Sequence, residues 1–203
     1  MSAGPPSPAR MGPRVRLAFP EPRDGEEFVA LNRASRRFHR GLALPPVTLA
    51  RFERYRERSR RADNVDLLVR RRADDAVLGA LGISQISYGP FRSAYLGYEI
   101  GAPFARQGYM MEALELALRY AFVQLRLHRL EANIQPENQP SLALVARLGF
   151  TREGYSRRYV KIGGRWRDHE RWAILVEDWR AKRSQVKDSP RPRVSRSSPS
   201  IRR

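Results

Sequence analysis

The stretch FARQGYMMEALELALRYAF, Phe104 to Phe122, limits the fold more than any other part of the chain. Met110, Ala113, Leu114, Ala117, Leu118, Ala121 and Phe122 recur at i, i+3, i+4 and i+7. A helix from Gly108 to Leu125 therefore carries one continuous apolar stripe, which has to be buried against another layer. Strand patterns stand on both sides of it, SAYLGYEIG before and RLEANI after. A strand-helix-strand crossover within one sheet follows.

The remaining elements read in the same way. RVRLAF is a first strand. A helix is expected from Asp24 to Arg37, with Asp24 as N-cap and Phe28 and Leu31 on its apolar face. Thr48 caps a second helix through RFERYRERSRR. VDLLVRR and AVLGALGISQIS are strands joined by the polar turn ADD. Ser141 to Leu148 forms a short helix stopped by Gly149. Gly163-Gly164 marks a hairpin between TREGYSRRYVKI and RDHERWAILV. The order β α α β β β α β α β β is a mixed α/β pattern, and no internal repeat is present.

Residues 1–13, rich in Pro, Ser and Gly, read as a disordered leader, and residues 181–203 as a disordered basic tail. The folded domain is expected over residues 14–180. A chain of 203 residues accommodates one domain with tails. Its formal net charge of +18 favours anionic partners: nucleic acid, a ribonucleoprotein particle, an acidic membrane surface or a phosphorylated ligand. With no cysteine there is no disulfide, thiolate metal site or catalytic thiol. No His/Asp/Glu cluster has metal-ligand spacing. The N-terminus lacks the apolar run of a secretory signal, and no stretch approaches a membrane span. A cytoplasmic protein is the expectation.

Arg106-Gln107-Gly108 stands directly at the opening of the long helix. A helix N-terminus presents free N–H groups and the positive end of the macrodipole, and a glycine there admits a phosphate close to the backbone. Arg106 adds a pairing charge. The same residues also fit a tight strand-to-helix turn with Arg106 in solvent, and the motif alone leaves both readings open.

YEIGAPFARQGYMMEALELALRYAF, LHRLEANIQPENQPSLALVARLGFTREGY and GGRWRDHERWAILVEDW together resemble the GNAT superfamily of acetyl-CoA-dependent N-acetyltransferases. Within it they are most similar to the RimJ/RimL group of ribosomal-protein N-terminal acetyltransferases. RimJ is the nearer of the two, through YLGYEIG, ARLGF…EGY and RWRDH. The resemblance is strongest from Tyr95 to Trp179. It implies a GNAT fold: a mixed, mostly antiparallel sheet flanked by helices, whose fourth and fifth strands splay apart around acetyl-CoA. Pantetheine would lie along the strand Tyr95 to Ile100, and the pyrophosphate on the helix that follows. The implied cofactor contacts are Ile100, Arg106, Gln107, Gly108, Tyr109, Met110, Met111, Asn138 and Ser141. The family loop usually runs Q/R-x-x-G-x-G/A. Here Ala105 stands at its first polar position, Arg106 at an optional glycine and Met110 at the last small residue.

The implied chemistry is direct attack of an amine on the thioester in a ternary complex. Glu99, on the strand bordering the acyl group, is the candidate base, with a substrate-orienting carboxylate as the alternative role. Glu112, three residues into the helix, reads as electrostatic support for its N-terminus. Asn138 and Ser141 match a family P-x-N-x-x-S element in QPENQPS. The resemblance puts Asn138 on pantetheine and Ser141 near the sulfur, whereas local rules make Ser141 an N-cap. The tyrosine acid of many relatives is replaced by Val145, so Ser141 or water would serve if an acid is needed. Asn133 is a candidate for orienting substrate or water. His169 reads first as structural. The hairpin Ile162 to Trp166 and the region Asn32 to Phe38 would wall the acceptor.

A protein α-amine titrates near 7.7–8.0 and a lysine near 10.4, so one weak carboxylate suits the α-amine better. The expected acceptor is a protein N-terminus of the alanine type, on a ribosomal protein. The alternatives are a small-molecule amine or lysine acceptor, and a non-catalytic ribosome- or RNA-binding protein. The basic tail would contact ribosomal RNA, and the chain would act as a monomer or homodimer.

Overall fold

The computed structural model describes residues 11–188. The chain runs β1 (Val15–Ala18), α1 (Gly25–Ala34), α2 (Leu49–Arg58), β2 (Asn64–Arg71), β3 (Val77–Ser87), β4 (Ser93–Ile100), α3 (Tyr109–Arg119), β5 (Arg129–Ile134), α4 (Gln139–Leu148), β6 (Thr151–Ile162), β7 (Arg165–Leu175) and α5 (Val176–Asp188). This is the expected order with one helix added. The seven strands form one sheet, β1-β2-β3-β4-β5-β7-β6. Neighbours are antiparallel except β4 and β5, which are parallel across the α3 crossover.

That parallel pair makes the cleft. β4 and β5 are in register only at Ser93↔Arg129, Ala94↔Leu130 and Tyr95↔Glu131. Beyond Tyr95, β4 stays with β3 as far as Ile100, and β5 stays with β7 as far as Ile134. The strands part into a wedge at the C-terminal end of β4.

Helices cover both faces. The α3 stripe of Met110, Ala113, Leu114, Ala117, Leu118, Ala121 and Phe122 is buried in the larger cluster with Leu67, Ile83 and Leu130. On the opposite face Phe28 and Val29 of α1 and Phe52 of α2 pack on Leu68, Val77 and Ala80. β2 serves both layers, which is why VDLLV has no polar/apolar alternation beyond Asp66. Gly163 and Gly164 both have positive φ, 56° and 80°, so the tight hairpin between β6 and β7 needs them.

Four expectations change. First, α1 ends at Ala34 rather than Arg37 and is preceded by a 3₁₀ turn, Pro22–Asp24. Asp24 stands at the N-cap position, but its side chain makes no cap hydrogen bond to α1. It accepts from the Glu21 amide at 2.8 Å and pairs with the buried Arg70. A buried guanidinium needs a counter-charge, and this demand overrides the cap. Second, the long helix becomes a π-turn over Tyr120–Gln124, closed by Leu125 N–H to the Tyr120 carbonyl at 3.1 Å. Tyr120, Ala121 and Phe122 are all buried there, more than one face of a regular α-helix can hide. Third, the last residues of the expected leader join the sheet edge. Met11 bridges Arg16, and the Arg72 guanidinium donates to the Gly12 and Pro13 carbonyls at 2.9 and 3.2 Å. Fourth, α5 continues past Arg180 to Asp188. Trp179 packs on Phe122 with ring centroids 5.5 Å apart, Arg183 lies 4.9 Å from the Trp179 ring, and Lys182 donates to the Arg147 carbonyl at the end of α4. The rest of the expected tail, 189–203, and the first part of the leader, 1–10, lie outside the described residues. No helix among the described residues is long and apolar enough to cross a membrane.

Candidate active site

The β4–β5 wedge opens into two cavities, about 680 Å³ on the α3 and α4 side and about 650 Å³ on the α2 side. They share His39, Leu42, Tyr98, Glu99, Gln135, Asn138 and Ser141. A substrate in each would therefore meet the other at the end of β4.

The α3-side cavity is walled by Ile100, Phe104 to Arg106, Gly108 to Met111, Asn138, Pro140 and Ser141. Its floor is the opening of α3. Gly108 has φ +80° as the residue before the helix, and Arg106 has φ +60°. Successive turns of this kind aim backbone N–H groups into one concavity, a natural anion cradle. Arg40, Arg106, Arg147 and Arg167 line the same cavity, against two carboxylates, Glu99 and Glu137. Gln107 is not part of the lining. Its amide donates to the Pro103 carbonyl at 2.8 Å, and its own carbonyl accepts from Arg14 at 3.0 Å. Glu112 also stays out: it accepts from the Arg14 and Val15 amides at 2.7 and 2.9 Å, tying β1 to the first turn of α3.

At the junction, Tyr98 and Glu99 are consecutive residues of β4 and point to opposite faces of the sheet. Tyr98 reaches α4, where its hydroxyl and Ser141 Oγ are 2.6 Å apart. Ser141 is available because it is not the N-cap. Asn138 is, with its Oδ1 accepting from the Ser141 amide at 3.3 Å, and α4 begins at Gln139. Burial pushes the Tyr98 phenol up to about 12, with the Ser141 hydrogen bond opposing. Glu99 faces α2. It is half-buried, desolvation pushes its carboxyl up to about 8, and it forms no ion pair among the described residues.

Residues 39–46, which sequence reasoning missed, form a wall of both cavities: His39 and Leu42 line both, Arg40 and Gly41 the α3 side, and Ala43 to Pro46 the α2 side. Ser35 Oγ accepts from the Ala102 amide at 2.9 Å, Gln135 donates to the Gly41 carbonyl at 3.1 Å, and Asn32 donates to the Pro46 carbonyl at 3.0 Å. Asn32 is thus an anchor and not a wall, and Phe38 lines the α3-side cavity instead. From the expected hairpin wall Ile162 does line the α2-side cavity, with His169; Trp166 is 60% exposed and does not. His169 is buried, its Nδ1 3.1 Å from the Arg167 carbonyl. Asn133 lines this cavity.

Buried polar atoms without a hydrogen-bond partner gather here. Among the described residues they are His39 Nε2, Tyr55 Oη, Asn133 Oδ1, Arg167 Nε and, away from the wedge, Gln124 Oε1. Orphaned groups cost stability, so a cluster of them on one cavity pair points to a ligand that completes them. His39 is kept neutral: burial pushes its pKa down, and the backbone of Ile100 holds the other ring nitrogen and opposes the shift. Tyr98, His39 and Tyr55 were all missed in the sequence. Tyr98 was legible only as a strand residue, since nothing local says that both faces of β4 open onto the wedge.

A family model described as an acetyltransferase (GNAT) domain matches residues 14–151. The chain is 43% identical over 103 residues to the [Ribosomal protein uS5]-alanine N-acetyltransferase of Escherichia coli (strain K12), covering 51% of this chain and 53% of that protein. The match thus spans about half the length of that relative. It is 36% identical over 128 residues to the "Probable N-acetyltransferase YjcK" of Bacillus subtilis (strain 168), covering 63% and 71%. Among solved structures, Mycobacterium smegmatis RimJ in complex with CoA-disulfide superposes with a TM-score of 0.73 at 28% identity, over 80% of this chain and 82% of that one. A mostly antiparallel sheet with splayed β4 and β5, the α3 opening at the wedge and these matches agree: the chain belongs to the GNAT acetyltransferase family.

Proposed function

We propose that the chain transfers the acetyl group of acetyl-CoA to the α-amine of a protein N-terminus, a ribosomal protein beginning with alanine being the preferred acceptor. The observation that carries this reading is Glu99 at the meeting point of the two cavities, half-buried and pushed up to about 8. An α-amine also titrates at 7.7–8.0, so base and nucleophile are matched. The activity of the Escherichia coli relative and the CoA-disulfide bound in the Mycobacterium smegmatis structure support the same substrates. Such an acceptor implies work in the cytoplasm.

In this reading the phosphates of acetyl-CoA rest on the α3 opening, with Arg106 and Arg147 as counter-charges, and pantetheine runs along β4 past Asn138. The amine enters from the α2 side. Its nitrogen bonds to the thioester carbonyl carbon, the C–S bond breaks, and Glu99 takes the proton from nitrogen, directly or through water. Asn133 Oδ1, lacking a partner, accepts from the amine and orients it. Tyr98, held protonated by burial, donates through Ser141 toward the departing thiolate and stabilises it; a proton from water completes CoA–SH. Tyr98 thus takes the place that a tyrosine at Val145 would fill.

Spermidine acetyltransferases are also relatives, the one from Vibrio cholerae at 29% identity over 103 residues. The α2-side cavity carries Arg51, Arg54 and Arg58, which repel a polycation. The test is acetylation of Ala-first ribosomal-protein peptides, N-blocked lysine peptides and spermidine, read by mass spectrometry. The expected order is α-amine above lysine by about 10²-fold, the fraction that their acidities leave deprotonated. A preference for spermidine or lysine overturns the reading.

A further inference from the structure

The α2-side cavity has an electrostatic sign that the acceptor's amine alone does not explain. Arg51, Arg54 and Arg58 stand three and four residues apart and share one face of α2. Arg58 is already used: its Nε and an Nη both meet Asp66 at 2.9 Å, and Asp66 also accepts from Asn64 at 2.6 Å. Of the two acidic residues on the helix, Glu53 pairs with Arg56, and Glu57 forms no ion pair with Arg51 or Arg54 among the described residues. Arg51 and Arg54 form no ion pair among the described residues. The carboxylates that face the cavity are Asp66, which is paired, and Glu99, which burial holds largely protonated at neutral pH. His39 is neutral. The wall around the incoming amine therefore carries two uncompensated guanidinium groups.

Their place along α2 gives a distance. Tyr55 and Glu99 line one cavity, and Ala80, the cross-strand partner of Glu99, belongs to the cluster on which Tyr55 packs, so Glu99 lies across from Tyr55. Arg51 is one turn toward the N-terminus, about 6 Å along the axis at 1.5 Å per residue. An extended peptide advances about 3.3 Å per residue. A peptide whose amine is at Glu99, if it runs along α2 toward the start of that helix, passes Arg54 and Arg51 with its second to fourth residues.

We infer that Arg51 and Arg54 form a carboxylate subsite, so that the acceptor is an N-terminus carrying an acidic side chain within its second to fourth positions. The inference rests on the N-terminal acceptor reading and adds a sequence requirement to it. Guanidinium recognises carboxylate through paired, charge-assisted hydrogen bonds, and a lysine at the same position meets like charge.

Steady-state kinetics of the full chain on Ala-first octapeptides of Ser and Gly, with Glu or Lys at the second, third or fourth position, test this. At one position or more, kcat/KM for Glu exceeds that for Lys by about tenfold or more, the worth of one charge-assisted hydrogen bond. The preference shrinks in high salt. Arg51→Gln/Arg54→Gln flattens it, and Arg51→Glu/Arg54→Glu reverses it, while the thermal shift on adding acetyl-CoA stays as in the wild type and reports an intact fold. Equal Glu and Lys rates at all three positions, or a preference unchanged in the Gln double variant, overturn the subsite and leave N-terminal acetylation standing. No acetylation of any peptide, with lysine or spermidine acetylated, overturns the acceptor reading and the subsite with it.

Discussion

Glu99 is a carboxyl group held near 8 by burial, above its ordinary value of 4.5, and the shift has two consequences of opposite kind. As the proposed base it would work ionised, so turnover is expected to rise as pH passes through about 8. Glu99→Gln is expected to lower kcat by roughly 10²-fold or more, the usual worth of a positioned base, with acetyl-CoA affinity little changed. In stability the sign is reversed. The folded chain binds the Glu99 proton more tightly than the unfolded chain, so the stabilisation is complete below 4.5 and is lost as pH rises toward about 8. Glu99→Gln should thus raise Tm more at pH 9 than at pH 5. Differential scanning calorimetry at the two pH values checks this; an equal Tm change at both means that Glu99 is solvated and not a poised base. The sequence offered Glu99 as one strand carboxylate among many roles. Its burial, and the facing positions of Tyr55 and Tyr98, come from packing that local pattern does not encode.

Among the elements, the opening of α3 was legible and its geometry was not. Arg106 occupies the position where family members optionally carry glycine, and the left-handed φ of +60° there explains that option. A non-glycine residue in this region costs about 1 kcal/mol, so the Arg106 side chain is kept against a backbone preference. Arg106→Gly is expected to leave the fold as stable or more stable and to weaken acetyl-CoA by about three- to tenfold through the lost charge. Gly108 has φ +80°, and a Cβ there would stand 3.1 Å from an Arg14 Nη. Gly108→Val distorts the turn itself and should weaken acetyl-CoA more than tenfold. Isothermal titration of both variants decides: full affinity in Gly108→Val would move the phosphates away from this turn. α4 behaves in a similar way. Local rules make Ser141 the cap; the observed cap is Asn138, and the start of α4 at Gln139 frees the Ser141 hydroxyl for Tyr98.

Across the molecule, the +18 charge is spread over the folded surface and the termini. Residues 189–203 contain Arg191, Arg193, Arg196, Arg202 and Arg203 and no acidic residue. We propose that they pair with phosphates of ribosomal RNA. Because α5 runs to Asp188, a cut after Arg180 would also remove Lys182 from the end of α4 and Arg183 from Trp179. The informative truncation is after Asp188. It should leave acetylation of a short peptide within about twofold and lower the salt slope of ribosome binding by up to about 4.5, since each phosphate no longer neutralised takes away roughly 0.9. Co-sedimentation over a salt series measures it; an unchanged slope makes the tail passive.

Which elements exist, and in what order, follows from local pattern alone, because apolar periodicity, caps and turn glycines act over a few residues. Thus the α3 stripe, the Thr48 cap, the Gly149 stop and the Gly163-Gly164 hairpin all stand where expected. Long-range packing set the rest: where β4 and β5 part, which faces of β4 look into the wedge, that residues 39–46 wall both cavities, and that Arg51 and Arg54 are left without ion-pair partners among the described residues. These depend on pairings between residues far apart in the chain. Burial and charge balance belong to the assembled surroundings of a residue and not to any window of sequence.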